Sequence, residues 1–337
     1  MKKKKILSIL IGFIVIIGVM VIGLLINTKP LKNSDQGQKD SEFKIGYIID
    51  GNKDDNQVYT SAYNGILNLK TEMNAYFSMR ENIQVDQLET NVDKYTNDNF
   101  DIIILGGNDY DETAKALADK YPDTDFVVLN SKINNNKNLS SLNTDLRTAG
   151  FIRGMLAGYT TKRNVVAAIG YTDDQPTIHE LYGFEMGVKY VNADIQIYGE
   201  YVTKREANTK AGDLLKEFAT YGTDVVIAAS GKDDNEIFDI AENSNIYAFG
   251  NNLSLIENYP NTMIAVCSFN ITGGVEDMIR MTFDNGFMGE SIALEFDLEY
   301  NEGLKARLPI RGIDRVEQTL EAIRSGKLDI NKLVPME

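Results

Sequence analysis

The residues of this chain best placed to do chemistry are acids near position 50. Asp50-Gly-Asn-Lys-Asp-Asp55 follows a short apolar run. An acid at a strand end can accept hydrogen bonds from a small ligand, or it can cap the helix that follows. Asp50-x-Asn52-x-Asp54 also opens like a calcium loop. Asp55 stands where such a loop needs glycine and Ser61 where it needs glutamate, so no metal is expected. His179 is the sole histidine and has no companion at ligand spacing, which predicts a solvated or capping role. Cys267 is the sole cysteine, set in an apolar run with no base near it in sequence, which predicts a small buried hydrophobe and excludes an internal disulfide. Gly106-Gly107 and Gly273-Gly274 precede helices but lack the Lys-Ser/Thr of a phosphate loop, so they read as tight turns. Paired carboxylates could serve glycoside hydrolysis, yet no other catalytic pattern accompanies them. The chain is read as a binder, not an enzyme, with no cofactor.

Alternating strands and helices must position these residues. Runs at 44–50, 102–105, 126–129, 165–169, 195–202, 225–229, 246–249 and 264–268 read as strands, with others near 292–298 and 308–312. Helical periodicity falls at 61–73, 113–121, 176–191, 210–221, 235–243, 274–283 and 316–325, and 134–138 reads as a polar loop. At the centre lies Ala149-Gly-Phe-Ile-Arg-Gly-Met-Leu-Ala-Gly158. On a helix its glycines at every fourth position form one ridge, each costing roughly 1 kcal/mol against alanine, so a helix or sheet is expected close by. Arg153 and the short length exclude a membrane span here. The expected fold is α/β, periplasmic-binding-protein-like (type I): two doubly wound parallel-sheet lobes with a cleft where the carboxyl ends of their strands meet. The first lobe is expected over about 43–147 and 253–285, the second over about 148–252 and 286–330.

The N-terminus differs from the rest. Four lysines at 2–5 precede 21 uncharged residues, 6–26, which as a helix would reach about 31 Å and cross a bilayer. The apolar run exceeds a signal-peptide core, and Gly23-Leu-Leu-Ile-Asn-Thr28 offers no small-x-small cleavage site. An uncleaved N-terminal transmembrane helix is therefore expected, with residues 1–5 cytoplasmic and the large domain extracytoplasmic. Residues 27–42 read as a flexible linker and 43–337 as the bilobal domain. The six lysines of residues 1–32 leave 28 basic against 49 acidic residues beyond, a net of −21 that disfavours nucleic acid.

Pro122-Asp-Thr-Asp-Phe-Val-Val-Leu-Asn130, the glycine run at 149–158, Thr161-Lys162, Ile169-Gly170 and Gly183-Phe-Glu-Met-Gly-Val188 occur in an order and spacing that resemble the basic membrane protein family, extracytoplasmic binding proteins related to purine-nucleoside receptors. The resemblance covers about 44–312. It implies a type I periplasmic-binding fold, a small-molecule ligand such as a nucleoside, and an ABC permease as partner. The family motif Asp-x-Gly-Gly-x-x-Asp-x-Ser-Phe-Asn lies over residues 50–59, one residue shorter here. Asp50 and Asp55 match its acids, Val58 replaces the aromatic that would stack on a base, and Tyr59 replaces the Asn. Asn130 and Asn252 replace two family aspartates. The Lys expected shortly after Ser268 is missing, with Asn270 nearby. The resemblance thus implies a ligand site at Asp50, Asp55, Tyr59, Asn130, Asn252 and Asn270, with Tyr59 as a substitute ring. It also implies weak purine-nucleoside binding, since neutral amides accept hydrogen bonds less strongly than carboxylates. Some membrane-associated members of the family regulate competence, so a non-transport regulator with a degenerate pocket is the alternative.

Overall fold

The structure, a computed structural model, describes residues 42–171, 175–202, 211–229 and 234–333. Its first strand, β1 (Lys44–Ile49), is apolar on both faces. Ile45, Tyr47 and Ile49 join one hydrophobic cluster and Ile48 the opposite one, all fully buried. Such a strand belongs in the middle of a parallel sheet with helices on both sides. β1 pairs in parallel with β2 (Tyr76–Arg80) and β3 (Ile102–Gly106). β4 (Asp125–Leu129), β5 (Leu139–Thr144) and β11 (Ser291–Leu294) continue that sheet, all parallel. The helices α1 (Gln57–Met73) and α9 (Ile271–Phe283) cover one face; α2 (Val85–Asn97) and α3 (Asp111–Lys120) cover the other.

A second sheet runs in the order β12 (Phe296–Tyr300), β10 (Met263–Phe269), β9 (Tyr247–Gly250), β8 (Val225–Ala229), β6 (Val165–Tyr171), β7 (Gln196–Val202). α4 (Leu146–Thr160), α5 (Gln175–Val191) and α10 (Ile310–Arg324) pack on one face; α6 (Ala211–Thr220), α7 (Asp234–Asn243) and α8 (Ser254–Asn258) pack on the other. The fold is therefore α/β with two doubly wound lobes. β12 is antiparallel to β10, which departs from the expected wholly parallel pairing.

The glycine ridge meets a helix. Gly154 of α4 faces α5 so closely that a Cβ there would lie 2.0 Å from the Phe184 carbonyl oxygen, and one on Gly187 of α5 would lie 2.0 Å from that of Phe151. Reciprocal glycines let the two backbones touch. At this contact Arg153, fully buried, forms an ion pair with Glu180 and donates from Nε to the Ala149 carbonyl at 3.3 Å.

Three features correct the sequence reading. β10, expected in the first lobe within 253–285, pairs with β9 and β12 in the second sheet, while β11, expected in the second lobe, joins the first. The 292–298 run is thus two strands in different sheets. The strand expected at 308–312 is instead the start of α10: Pro309 sits at its N-cap with φ −62°, a value suited to helix entry. Elements also went unrecognised at β2, α2 and β5, whose sequences YFSMR, VDQLETNVDKYTN and LSSLNT carry few apolar residues.

The chain passes between the lobes at three places: after β5, after β10 and after β11. Each passage lies at the carboxyl end of a parallel strand and spans one or two residues, so the carboxyl edges of the two sheets must approach each other there. Residues 6–26 lie outside the described residues, and among the described residues no helix is long and apolar enough to cross a membrane.

Candidate functional site

Register fixes what stands along the first lobe's carboxyl edge. Ile49 pairs with Gly106, Gly106 with Leu129, and Leu129 with Leu142. Asp50, Gly107 and Asn130 follow these residues directly. With neighbouring strands about 4.8 Å apart, they form a row roughly 10 Å long.

Asp50 is held in place. The Tyr59 hydroxyl donates to its Oδ1 at 2.7 Å and lies 3.1 Å from the Gly106 carbonyl. Gln84 donates from its side-chain amide to the Asp50 carbonyl at 3.3 Å. The loop behind Asp50 is braced by the residues after β2: the Asn82 amide N–H donates to the Gly51 carbonyl, the Lys53 N–H to Glu81 Oε1 and the Asn82 side chain to Asn52. Asn56 then caps α1 by accepting from the Val58 N–H at 2.8 Å. The glycines at 106 and 107 make room for Tyr59: a Cβ on Gly106 would lie 2.9 Å from its ring, and one on Gly107 3.2 Å from its hydroxyl. Gly107 also has φ +109°, which strongly favours glycine. Close packing, not an anion site, accounts for both glycines.

Tyr59 was expected as a ring for stacking, and the structure corrects this. Its side chain is 7% exposed and lies in the first lobe's core, where no ligand face can reach it. Burial first, then the charge of Asp50, push its phenol far above the ordinary tyrosine range, so it is a permanent donor. Asp55 closes the short turn Lys53–Asp55, and its side chain lies outside the described residues.

The amides are engaged locally. Asn130 adopts φ 54°, a left-handed conformation that asparagine tolerates. Its Oδ1 accepts from the Thr144 hydroxyl at 2.9 Å. Asn252 follows β9 and its Oδ1 accepts from the Ser254 N–H at 3.0 Å. Asn270, between β10 and α9, caps that helix by accepting from the Gly273 N–H at 3.0 Å. Asp50 and Tyr59 are therefore in contact, Asn130 stands two strand ends away, and Asn252 and Asn270 end neighbouring strands of the second lobe. Of the other strand ends of that lobe, residues 172–174, 203–210 and 230–233 lie outside the described residues.

Sequence reasoning missed Gln84 and Thr144. Both belong to unrecognised elements, and the only available signal for Thr144 was the polar residue closing 139–144. His179 is exposed on α5. Cys267 is fully buried in β10, and burial pushes its thiol up to about 12. Among the described residues no group of three or more His, Cys, Asp or Glu could hold a metal.

A two-lobed α/β unit with an acid fixed at the first strand end can be compared with known proteins. The family model described as ABC transporter substrate-binding protein PnrA-like matches residues 43–298. The Bacillus subtilis protein named Transcriptional activator protein med is 26% identical over 208 residues, covering 61% of this chain and 64% of that protein. Basic membrane protein A of Borreliella burgdorferi is 27% identical over 176 residues, covering 51% of this chain and 52% of that one. The chain thus matches less than two thirds of either relative's length. Among solved structures, a solute-binding protein of an ABC transporter system from Aeropyrum pernix superposes with TM-score 0.74 at 16% identity, over 88% of this chain and 94% of that one. A transcriptional activator of the comK gene from Bacillus halodurans gives 0.67 at 15%, over 83% and 96%. At such identities the structures support the fold alone, while the family match takes in most of the bilobal unit and the Asp50 strand end: the chain belongs to the PnrA-like family of ABC transporter substrate-binding proteins.

Proposed function

We propose that this chain is an extracytoplasmic solute-binding protein, held at the cell membrane by residues 6–26, that captures a nucleoside or similar small polar ligand between its lobes for an ABC permease. The observation that carries this reading is the fixed carboxylate of Asp50 at the carboxyl edge of β1, where open α/β sheets bind ligands. Its Oδ2 carries no hydrogen bond among the described residues, which leaves one strong acceptor for a ligand N–H or O–H. The ligand site is read as Asp50 and Asp55 with Asn130, Asn252 and Asn270, and Tyr59 contributes by holding Asp50.

A second reading, a regulator that keeps the fold and does not transport, is favoured by the med relative and by the substitutions Val58, Asn130 and Asn252. Each charge-assisted hydrogen bond lost to an amide forfeits about 1.5–3 kcal/mol. Every 1.4 kcal/mol is about tenfold in affinity, so weak purine-nucleoside binding is expected under either reading. Titration calorimetry of the purified protein with adenosine and guanosine tests this: dissociation constants above micromolar are expected, and submicromolar binding would show that the substitutions cost little. Uptake of labelled solutes by cells with and without the gene separates the readings. Loss of uptake of some solute supports the transporter role, and unchanged uptake across a broad panel supports the regulator.

A further inference from the structure

The three asparagines at the strand ends share one property. Each amide oxygen is engaged locally: Asn130 Oδ1 by the Thr144 hydroxyl at 2.9 Å, Asn252 Oδ1 by the Ser254 N–H at 3.0 Å, and Asn270 Oδ1 by the Gly273 N–H at 3.0 Å. A backbone N–H can only donate, so the oxygens of Asn252 and Asn270 are the ends turned toward the chain. The open ends are the NH2 groups, which make no hydrogen bond among the described residues. Asn130 and Asn252 stand where the family resemblance has acceptors for sugar hydroxyls, and this chain offers donors instead. Asp50 supplies one acceptor, since Tyr59 occupies its other oxygen.

We propose that this cleft selects small molecules rich in carbonyl or carboxylate acceptors, with a single N–H or O–H donor for Asp50, and gains nothing from a vicinal diol. The inference rests on the reading of the cleft as a ligand site. A vicinal diol brings two donors to a row holding one free carboxylate oxygen and several N–H donors, so its second hydroxyl serves only as an acceptor. A carbonyl satisfies an amide N–H without exchanging its own donor for an unmet one. Thr144 is the positioning residue for Asn130, because it alone among the described residues fixes which end of that amide is open.

The test compares matched pairs that differ only by a ribose: hypoxanthine against inosine and uracil against uridine. Each is titrated calorimetrically into full-length protein in detergent. The wild type is expected to bind each base at least as tightly as its nucleoside. The isosteric pair Asn130→Asp and Asn252→Asp keeps both local hydrogen bonds, since Asp caps as well as Asn and tolerates the left-handed conformation. Combined, the two changes are expected to tighten nucleoside binding at least tenfold relative to the base. Thr144→Val, which lets the Asn130 amide turn, is expected to move the ratio the same way by a smaller factor. A wild type that prefers nucleosides tenfold or more overturns the proposal, as does a double variant with an unchanged ratio. No binding of any probe by wild type or variants also overturns it. The ligand-site reading is then judged separately, by whether the protein carries a cellular small molecule that Asp50→Ala releases.

Discussion

Tyr59 shows how one side chain can be essential to a site without touching a ligand. Its buried hydroxyl spends its single hydrogen on Asp50, with the Gly106 carbonyl close by. Tyr59→Phe keeps the ring packing and removes that hydrogen bond to a charged group, so it is expected to cost about 1.5–3 kcal/mol of stability. A chemical-denaturation midpoint equal to wild type would contradict this. Tyr47 and Tyr59 are both buried, and burial is the first cause holding their phenols above the ordinary range. With folded values raised above the unfolded value near 10, their stability contribution is complete below about pH 10 and is lost above it, as the unfolded chain ionises first. Each such tyrosine is expected to remove about 1.4 kcal/mol per pH unit there. Denaturation followed from pH 8 to 11 checks it: Tyr47→Phe should flatten the alkaline fall, and an unchanged slope would count against it.

The glycines of α4 and α5 determine how the second lobe's helix layer packs. The four-residue glycine spacing was legible in the sequence and so was its need of a close neighbour, because a costly helix residue calls for a packing reason. The identity of that neighbour was not legible, since Gly183 and Gly187 look like ordinary helix residues until the two backbones touch. The buried Arg153–Glu180 pair was hidden for the same reason: the two lie 27 positions apart, and a charge on an apolar helix reads as a sign of exposure. Half-buried elements such as β2 and polar ones such as β5 escaped because strand signals depend on apolar content, whereas their register comes from neighbours on both sides. β1, β3 and β4 were easy to read, being buried on both faces. Gly154→Leu would drive a side chain into the Phe184 carbonyl and is expected to destabilise by about 1–3 kcal/mol or more. A lower melting temperature is the expected outcome, and an unchanged one would contradict close packing.

At the scale of the molecule, the lobes are coupled by three short passages at the carboxyl ends of β5, β10 and β11. The sequence conveyed the two lobes and the strand-end acid, but it misassigned the last strands to lobes, because nothing local distinguishes a strand that stays from one that crosses. The order of strands also explains why Asp50 and Asn130 fall in one row despite lying 80 positions apart. The central claim is that this strand-end row, with Asp50 as its fixed acceptor, holds a small solute. Native mass spectrometry of full-length protein purified from cells measures it directly. The account predicts a bound small molecule on wild-type protein that is absent from Asp50→Ala of equal melting temperature. A solute retained by Asp50→Ala, or none on wild-type protein from cells grown in rich medium, would contradict it.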